Sequence, residues 1–453
     1  MRFRLTESIW SMTGAHYPGD FHGGRGKMNR EIYETYVEIL KKELIPAFGC
    51  TEPIAIAYAA AVAAEKLGQK PDSMVVCCSG NIVKNVKGVT VPNSGGMKGI
   101  EAAAILGMLA GRPEKRLEVL AGVGEADIRE CRRLMAEKFC AVKLAKERSG
   151  LYIEVTVYSD GGSASVEIAG SHTNIVKIEK NGSVIFQAAE GTETCAGAEG
   201  EPDYGLLSVR DILQFADELQ VEDVKTVLER QMEYNQAIAK EGMRSHYGVE
   251  TGKLVMEQGE EDVRKRAIAY AAAGSDARMS GCPLPVVINS GSGNQGMTVS
   301  LPVMEYARAA KAEGEQLYRA LAAANLIAVH QKYFIGSLSA YCGAVCAAAG
   351  AVSGIAYLER EDQETIEKAI TNTICTIGGM VCDGAKPSCS AKIAAALNTA
   401  FLALDMARKG MAFETGDGLA KNGAEETIQS IGRMARNGMR ETDQEILHIM
   451  MSE

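Results

Sequence analysis

The chain has 453 residues, 46% hydrophobic and 23% charged, which is more than one core usually serves, so two lobes or one domain with an insertion are expected. A formal net charge of -10 leaves no basic stripe for nucleic acid and fits a protein that handles small molecules. Twelve cysteines are too dilute for a disulfide scaffold and no signal-peptide order opens the chain, which points to free thiols in a reducing cytoplasm.

Residues 1–27 show no periodicity and read as disordered or as the product of a start codon set too early, with Met28 the expected start. Asn29 caps a helix whose apolar positions Ile32, Tyr33, Tyr36, Val37, Leu40 and Leu44 recur at helical spacing up to Pro46. Gly49-Cys50-Thr51-Glu52-Pro53 then turns into an Ala-rich helix from Ile54. A cysteine just before a helix start is where the dipole lowers a thiol pKa, so Cys50 is a candidate thiolate, base or ligand.

Ser73–Cys78 and Val83–Val91 read as strands. Pro92-Asn93-Ser94-Gly95-Gly96-Met97-Lys98-Gly99 leads into a helix from Ile100 to Leu109, and its backbone NH groups suit a carboxylate, with Ser94 and Gly95 as candidate contacts. A helix is expected around Ala126–Lys146, followed by alternating runs at Leu151–Tyr158, Ser163–Ile168, Asn174–Glu179 and Ser183–Gln187. Asn181-Gly182 between the last two is a hairpin signal.

The expected fold class is α+β, a mostly helical body with a small α+β insertion that contains an antiparallel sheet. Residues 28–111 form the first part of the body, 112–189 the insertion and 190–453 a helical catalytic domain, with 190–203 read as a loop. Inside the insertion, Ser171-His172-Thr173-Asn174 places one of only six histidines between hydroxyls and an amide, a setting for holding a carboxylate or moving a proton.

Helices are expected at Val209–Glu218, Val221–Lys240, Glu260–Ala273, Met304–Ala323 and Ser390–Lys409, with two more at the end of the chain. Gly291, Gly293 and Gly296 match G-x-G-x-x-G formally, but no βαβ unit follows, so a loop contacting an anionic substrate is the better reading. Asn289, Ser290, Ser292, Asn294 and Gln295 are its candidate donors. From Tyr333 to Leu358 no charge appears, yet the run is Ala, Gly, Ser and Cys, so a buried core helix is expected rather than a membrane span.

This region carries Cys342, Cys346, Cys375, Cys382 and Cys389 without a C-x2-C pair, which argues against zinc. Soft thiolates among small residues also suit an iron-sulfur cluster, while buried cysteines of an Ala-rich core read the same way. Three thiolates would leave one iron open as a Lewis acid.

Four motifs together resemble the L-cysteine desulfidase family, related to the α-chain of iron-sulfur L-serine dehydratases. They are Gly49-Cys50-Thr51-Glu52-Pro53-Ile54-Ala55, Pro92 to Gly99, Gly291 to Gly296, and Cys382-Asp383 with Pro387-Ser388-Cys389. The resemblance covers Met28 to the end. It implies a [4Fe-4S] lyase that converts L-cysteine and water to sulfide, ammonia and pyruvate, with Cys342, Cys382 and Cys389 as cluster ligands and Cys50 as fourth ligand or base. His172 is the other candidate base, and Ser94, Gly95, Ser171, Thr173, Asn289, Ser292 and Asn294 are the candidate substrate contacts. The serine dehydratases have Cys-Asp-Pro, a longer gap and a terminal cysteine, whereas this chain has Cys382-Asp383-Gly384 and ends His448-Ile449-Met450-Met451-Ser452-Glu453, departures that favour the desulfidase. An L-serine dehydratase and a pyridoxal-phosphate lyase are the alternatives, a non-catalytic redox or iron sensor the other class. The partner is a small amino-acid substrate, with no nucleic acid or membrane, and the Ala/Gly-rich helices suit a homodimer.

Overall fold

The computed structural model describes residues 26–148, 150–188, 201–257, 259, 262–336 and 339–452. The expectations for residues 1–25 and 190–200 lie outside the described residues. The chain runs α1 (Arg30–Glu43), β1 (Pro46–Phe48), α2 (Thr51–Leu67), β2 (Ser73–Cys78), α3 (Gly80–Val86), α4 (Gly99–Ala110), α5 (Glu125–Ala136) and β3 (Cys140–Leu144). The strands β4 (Tyr152–Ser159), β5 (Gly162–Ala169), β6 (Ile175–Lys180) and β7 (Ser183–Gln187) follow. Next come α6 (Val209–Glu218), α7 (Lys225–Arg244), α8 (Thr251–Met256), α9 (Val263–Met279), β8 (Pro285–Val287), α10 (Gly293–Ala310) and α11 (Glu315–Ile335). The last helices are α12 (Gly343–Leu358), α13 (Gln363–Ile377), α14 (Cys389–Arg408), α15 (Gly423–Arg433) and α16 (Arg440–Met451). The fold is α+β and mostly helical, as its composition suggests.

The sheet has six strands in the order β3-β2-β4-β5-β6-β7, antiparallel except for the parallel pair β2/β3. It therefore recruits β2 from the N-terminal part of the body. Asn181 and Gly182 both have positive φ, which is the turn the Asn-Gly pair anticipates. A second, two-stranded sheet pairs β1 with β8, Pro46 opposite Val287 and Phe48 opposite Pro285, and so brings Gly49-Cys50 beside the Gly291 loop.

Three expectations change. Residues 80–86 form α3 rather than a strand, because Ile82, Val83 and Val86 recur at helical spacing and are all buried; the β-branched run misleads. The helix expected over Ala126–Lys146 stops at Ala136, where Lys138 takes positive φ and Cys140 enters the sheet opposite Met74. The one expected over Met304–Ala323 is two, since α10 starts at Gly293 and breaks at Lys311 and Gly314, both with positive φ. Among the described residues no helix is long and apolar enough to cross a membrane; the uncharged run is divided between the end of α11 and a 16-residue α12 buried along nearly all its length.

Small residues set the helix packing. A Cβ at Gly107 in α4 would stand 2.2 Å from the carbonyl oxygen of Ala57 in α2, and one at Gly350 in α12 would stand 2.5 Å from that of Ala324 in α11. Such backbone-to-backbone approach lets Ala-rich helices bury themselves without large side chains. Gly107→Ala should gain about 1 kcal/mol of helix propensity and lose about 1–3 kcal/mol to overpacking, so net destabilisation is expected. A lower urea midpoint with unchanged slope would show it, and an unchanged or higher midpoint would refute this account of the α2–α4 contact.

Candidate active site

The site lies where the N-termini of α2, α10, α12 and α14 face the β5–β6 turn. Gly49, with φ of +63°, delivers Cys50 to the N-cap of α2, and the same glycine packs against Pro92, since a Cβ there would lie 2.1 Å from Pro92 Cγ. Thr51 Oγ1 donates to the carbonyl of Gly291 at 3.0 Å and ties this turn to the glycine loop.

The glycines of that loop have packing reasons. A Cβ at Gly293 would meet Arg278 Nε at 2.6 Å, and one at Gly296 would meet the carbonyl oxygen of Val287 at 2.0 Å. They admit a guanidinium and a strand, which accounts for the pattern without a dinucleotide. Beneath the loop, Asn289 Nδ2 donates to Asn325 Oδ1 at 3.0 Å, Asn325 bonds Gln231 in both directions, and Asn235 bonds the backbone of Val287. These amides are buried and satisfied, so they fix the loop from inside.

A cavity of about 1600 Å3 opens here. Cys50, His172, Ser171, Thr173, Ser292, Asn294, Cys342, Cys382 and Cys389 all line it, gathered from the two ends of the chain and the insertion. Ser94, Gly95 and Asn289 do not. Ser94 Oγ bonds the carbonyl of Met97 at 3.1 Å and Gly95 offers its carbonyl to Arg132 at 2.9 Å, so their turn props Gly49 from outside, while Asn289 points into the amide layer. Cys346 is buried within α12, and neither it nor Cys375 lines the cavity.

At its centre is a residue the sequence reading passed over. Glu52 is 8% exposed and receives Cys50 Sγ on Oε2 at 3.0 Å, Thr51 Oγ1 on Oε2 at 3.1 Å and Asn85 Nδ2 on Oε1 at 2.8 Å. His172 Nε2 stands 4.0 Å from Oε1, too far for a direct bond, and is buried without a partner. Burial opposes ionisation of Glu52, but the nearby imidazole and the Cys50 thiol outweigh it and hold the carboxyl well below the usual range. Burial first, and the Glu52 carboxylate second, push the Cys50 thiol well above its ordinary value, against Arg278. Cys50 thus sits as a donor to Glu52 rather than as an uncommitted thiol at the helix start. The signal was present, since Glu52 is an acid in the first turn of a helix whose next twelve residues are apolar.

The three thiols stand on three elements. Cys342 is the N-cap of α12, Cys382 follows the bridge between Tyr341 and Val381, and Cys389 opens α14. Backbone bonds from Cys342 N to the carbonyl of Met380 and from Cys382 N to that of Ala340 hold the first two side by side. Burial pushes Cys342 up to about 12, with Cys382 adding, and also raises Cys389. Among the described residues no trio of His, Cys, Asp and Glu is gathered for a single metal ion. The surroundings are cationic: Lys84 is 2% exposed and bonds the carbonyl of Cys382 at 3.3 Å and Asp443, Lys392 pairs with Asp383, Lys386 bonds the carbonyl of Lys84, and Lys332 is 7% exposed beside Cys346, Cys382 and Cys342. Burial lowers the Lys332 pKa.

Comparison with known proteins now bears on this geometry. A family model described as serine dehydratase alpha chain matches residues 114–448, which include His172, Arg278 and the three thiols. The chain belongs to the serine dehydratase alpha chain family. It is also 50% identical over 421 residues to a UPF0597 protein of Lachnoclostridium phytofermentans, covering 93% of this chain and 100% of that one. UPF0597 proteins of Desulfitobacterium hafniense, at 49% over 93% of this chain and 97% of that one, and of Treponema denticola, at 44% over 94% and 100%, are similar throughout.

Glu52→Gln removes the charge that helps keep Cys50 protonated. Alkylation of Cys50 by iodoacetamide at pH 8, read by peptide mass spectrometry, should quicken, on the order of tenfold for each pKa unit released. An unchanged or slower rate would show that Glu52 does not control this thiol.

Proposed function

We propose that this chain is an iron-sulfur lyase that eliminates the β-substituent of a small L-amino acid, with L-cysteine as substrate and sulfide, ammonia and pyruvate as products. The observation that carries the reading is that three thiols and the Cys50–Glu52–His172 group open onto one cavity. L-serine is the second reading, and membership of the serine dehydratase alpha chain family favours it.

The residues fit a [4Fe-4S] cluster. Four lysines stand against two aspartates around the thiols, and the negative charge of a thiolate-bound cluster would favour their ammonium forms; a cluster also spreads its ligands over several irons, so its thiols stand farther apart than those around one ion. Cavity-lining side chains also carry four buried polar atoms without hydrogen-bond partners: Asn85 Oδ1, His172 Nε2, Gln295 Oε1 and Tyr341 Oη. Cys342, Cys382 and Cys389 would hold the cluster, and when bound it supplies a Lewis acid for the leaving sulfur or oxygen. Free thiols of this kind suit a reducing cytoplasm.

The protein's own part is proton movement and orientation. His172 Nε2 takes the α-proton, and the Glu52 carboxylate, held by Cys50, Thr51 and Asn85, stabilises the imidazolium across 4.0 Å. Cys50 and Asn85 fix the Glu52 carboxylate from either side, and Cys50 keeps its proton through the step. Ser171 and Thr173 flank the base, while Ser292 and Asn294 face it from the first turn of α10. Release of aminoacrylate, tautomerisation and hydrolysis of the imine then give pyruvate and ammonia without further catalysis.

Anaerobic reconstitution without pyridoxal phosphate should give a broad visible absorption, with sulfide released from L-cysteine. Cys382→Ala should abolish both. Iron and activity kept in that variant would remove the ligand assignment, and ammonia from L-serine at a higher kcat/KM than sulfide from L-cysteine would move the substrate to the second reading.

A further inference from the structure

Arg278 stands in the last turn of α9, lines the cavity and is 3% exposed. Its Nε donates to the carbonyl of Gly49 at 2.9 Å and its Nη1 to Asn294 Oδ1 at 3.2 Å. Both acceptors are neutral, and among the described residues no carboxylate pairs with this guanidinium. A buried charge with no counter-charge is costly, and a guanidinium presents a fork that matches a carboxylate. Gly293 leaves room for it and for a strand residue, since a Cβ there would stand 2.6 Å from Arg278 Nε and 2.4 Å from Val286 Cγ2.

Two further features converge on the same spot. The first turn of α10, an 18-residue helix, starts at Gly293 beside Arg278, and its N-cap Ser292 makes no side-chain capping bond. Its leading NH groups and its dipole favour an anion. The cavity as a whole is cationic, lined by ten Lys and Arg against five Asp and Glu in a chain of net charge -10. Arg278 lies within electrostatic reach of Cys50, on the Cys50–Glu52 side of the cavity.

We propose that Arg278, with the first turn of α10, binds the α-carboxylate of the substrate and restricts the site to free α-amino acids, excluding amides and residues within peptides. This rests on the lyase reading for the identity of the ligand as an amino acid. The anchor sets the Cα–H toward His172 by holding the carboxylate on the α10 side, so it fixes orientation as well as affinity.

The test uses L-alanine, which has the amino and carboxylate groups but no β leaving group, and L-alaninamide, titrated calorimetrically into the anaerobically reconstituted protein. Wild type should bind L-alanine roughly 30-fold more tightly than the amide. Arg278→Gln should bring the two within about threefold, and Arg278→Lys, which keeps charge but loses the fork, should fall between them. Thermal unfolding of both variants guards against misfolding; if Arg278→Gln does not fold, the lysine variant decides, and an unchanged preference in it overturns the proposal. A wild type without preference, or Arg278→Gln with its preference intact, also overturns it. A merely structural role would weaken both ligands equally. Turnover separates the two readings: elimination from L-cysteine and L-cysteinamide with equal kcat/KM sinks the anchor and keeps the lyase, while a carboxylate preference that depends on Arg278 without any elimination keeps the anchor and sinks the lyase.

Discussion

Three residues of pairing between β1 and β8 decide where everything else in the site can be. Pro46 to Phe48 and Pro285 to Val287 are remote in sequence, and their antiparallel register puts the Cys50 turn against the Gly291 loop. From that junction α2 and α10 both present their first turns to the cavity. Behind it, Asn235 bonds the backbone of Val287 while Asn289, Asn325 and Gln231 bond one another in a layer without exposure. Buried amides that are all satisfied specify one arrangement, because any slip would strand several donors at once.

The charges of the site follow a division of labour. Glu52 is a buried carboxylate surrounded by donors, with the Cys50 thiol on one oxygen and the His172 imidazole 4.0 Å from the other. Lys332, Lys84 and their neighbours put positive charge around the thiol wall. Arg278 is the cation on the other wall, bound to neutral oxygens only. Each would be expensive alone in an apolar interior; here Glu52, Lys84, Lys332 and Arg278 all line one cavity.

Much of this was legible in the residues, and the rest was hidden for identifiable reasons. Alternation and the Asn181-Gly182 turn located β4 to β7, and Asn29 marked the start of α1, because local periodicity and capping act within a few residues. The turn at Ser171-His172 stood out by residue type, the family resemblance picked the thiols at 342, 382 and 389 from five candidates, and the structure lines one cavity with them. Ser94, Gly95 and Asn289 looked the same on paper as Ser292 and Asn294, since a glycine-rich turn with donors does not reveal which way it faces. The α3 segment misled because the β-branched residues of a buried helix resemble a strand, and Lys84 and Asn85 were lost with it. Glu52, Arg278 and Lys332 were overlooked because each sits in an Ala-rich helix that also carries charges that are not buried, and a charge there reads as surface until burial is known.

One consequence concerns how freely this architecture can be rearranged. The strand β2 belongs to the first hundred residues, yet it lies second in the sheet, between β3 and β4. Excising residues 112–189 would strip it of both neighbours and expose Met74, Val76 and Cys78, which are now buried. The same cut would take away His172. Residues 112–189 and the body thus share one sheet through β2, so removing the segment would take sheet partners from the part that stays.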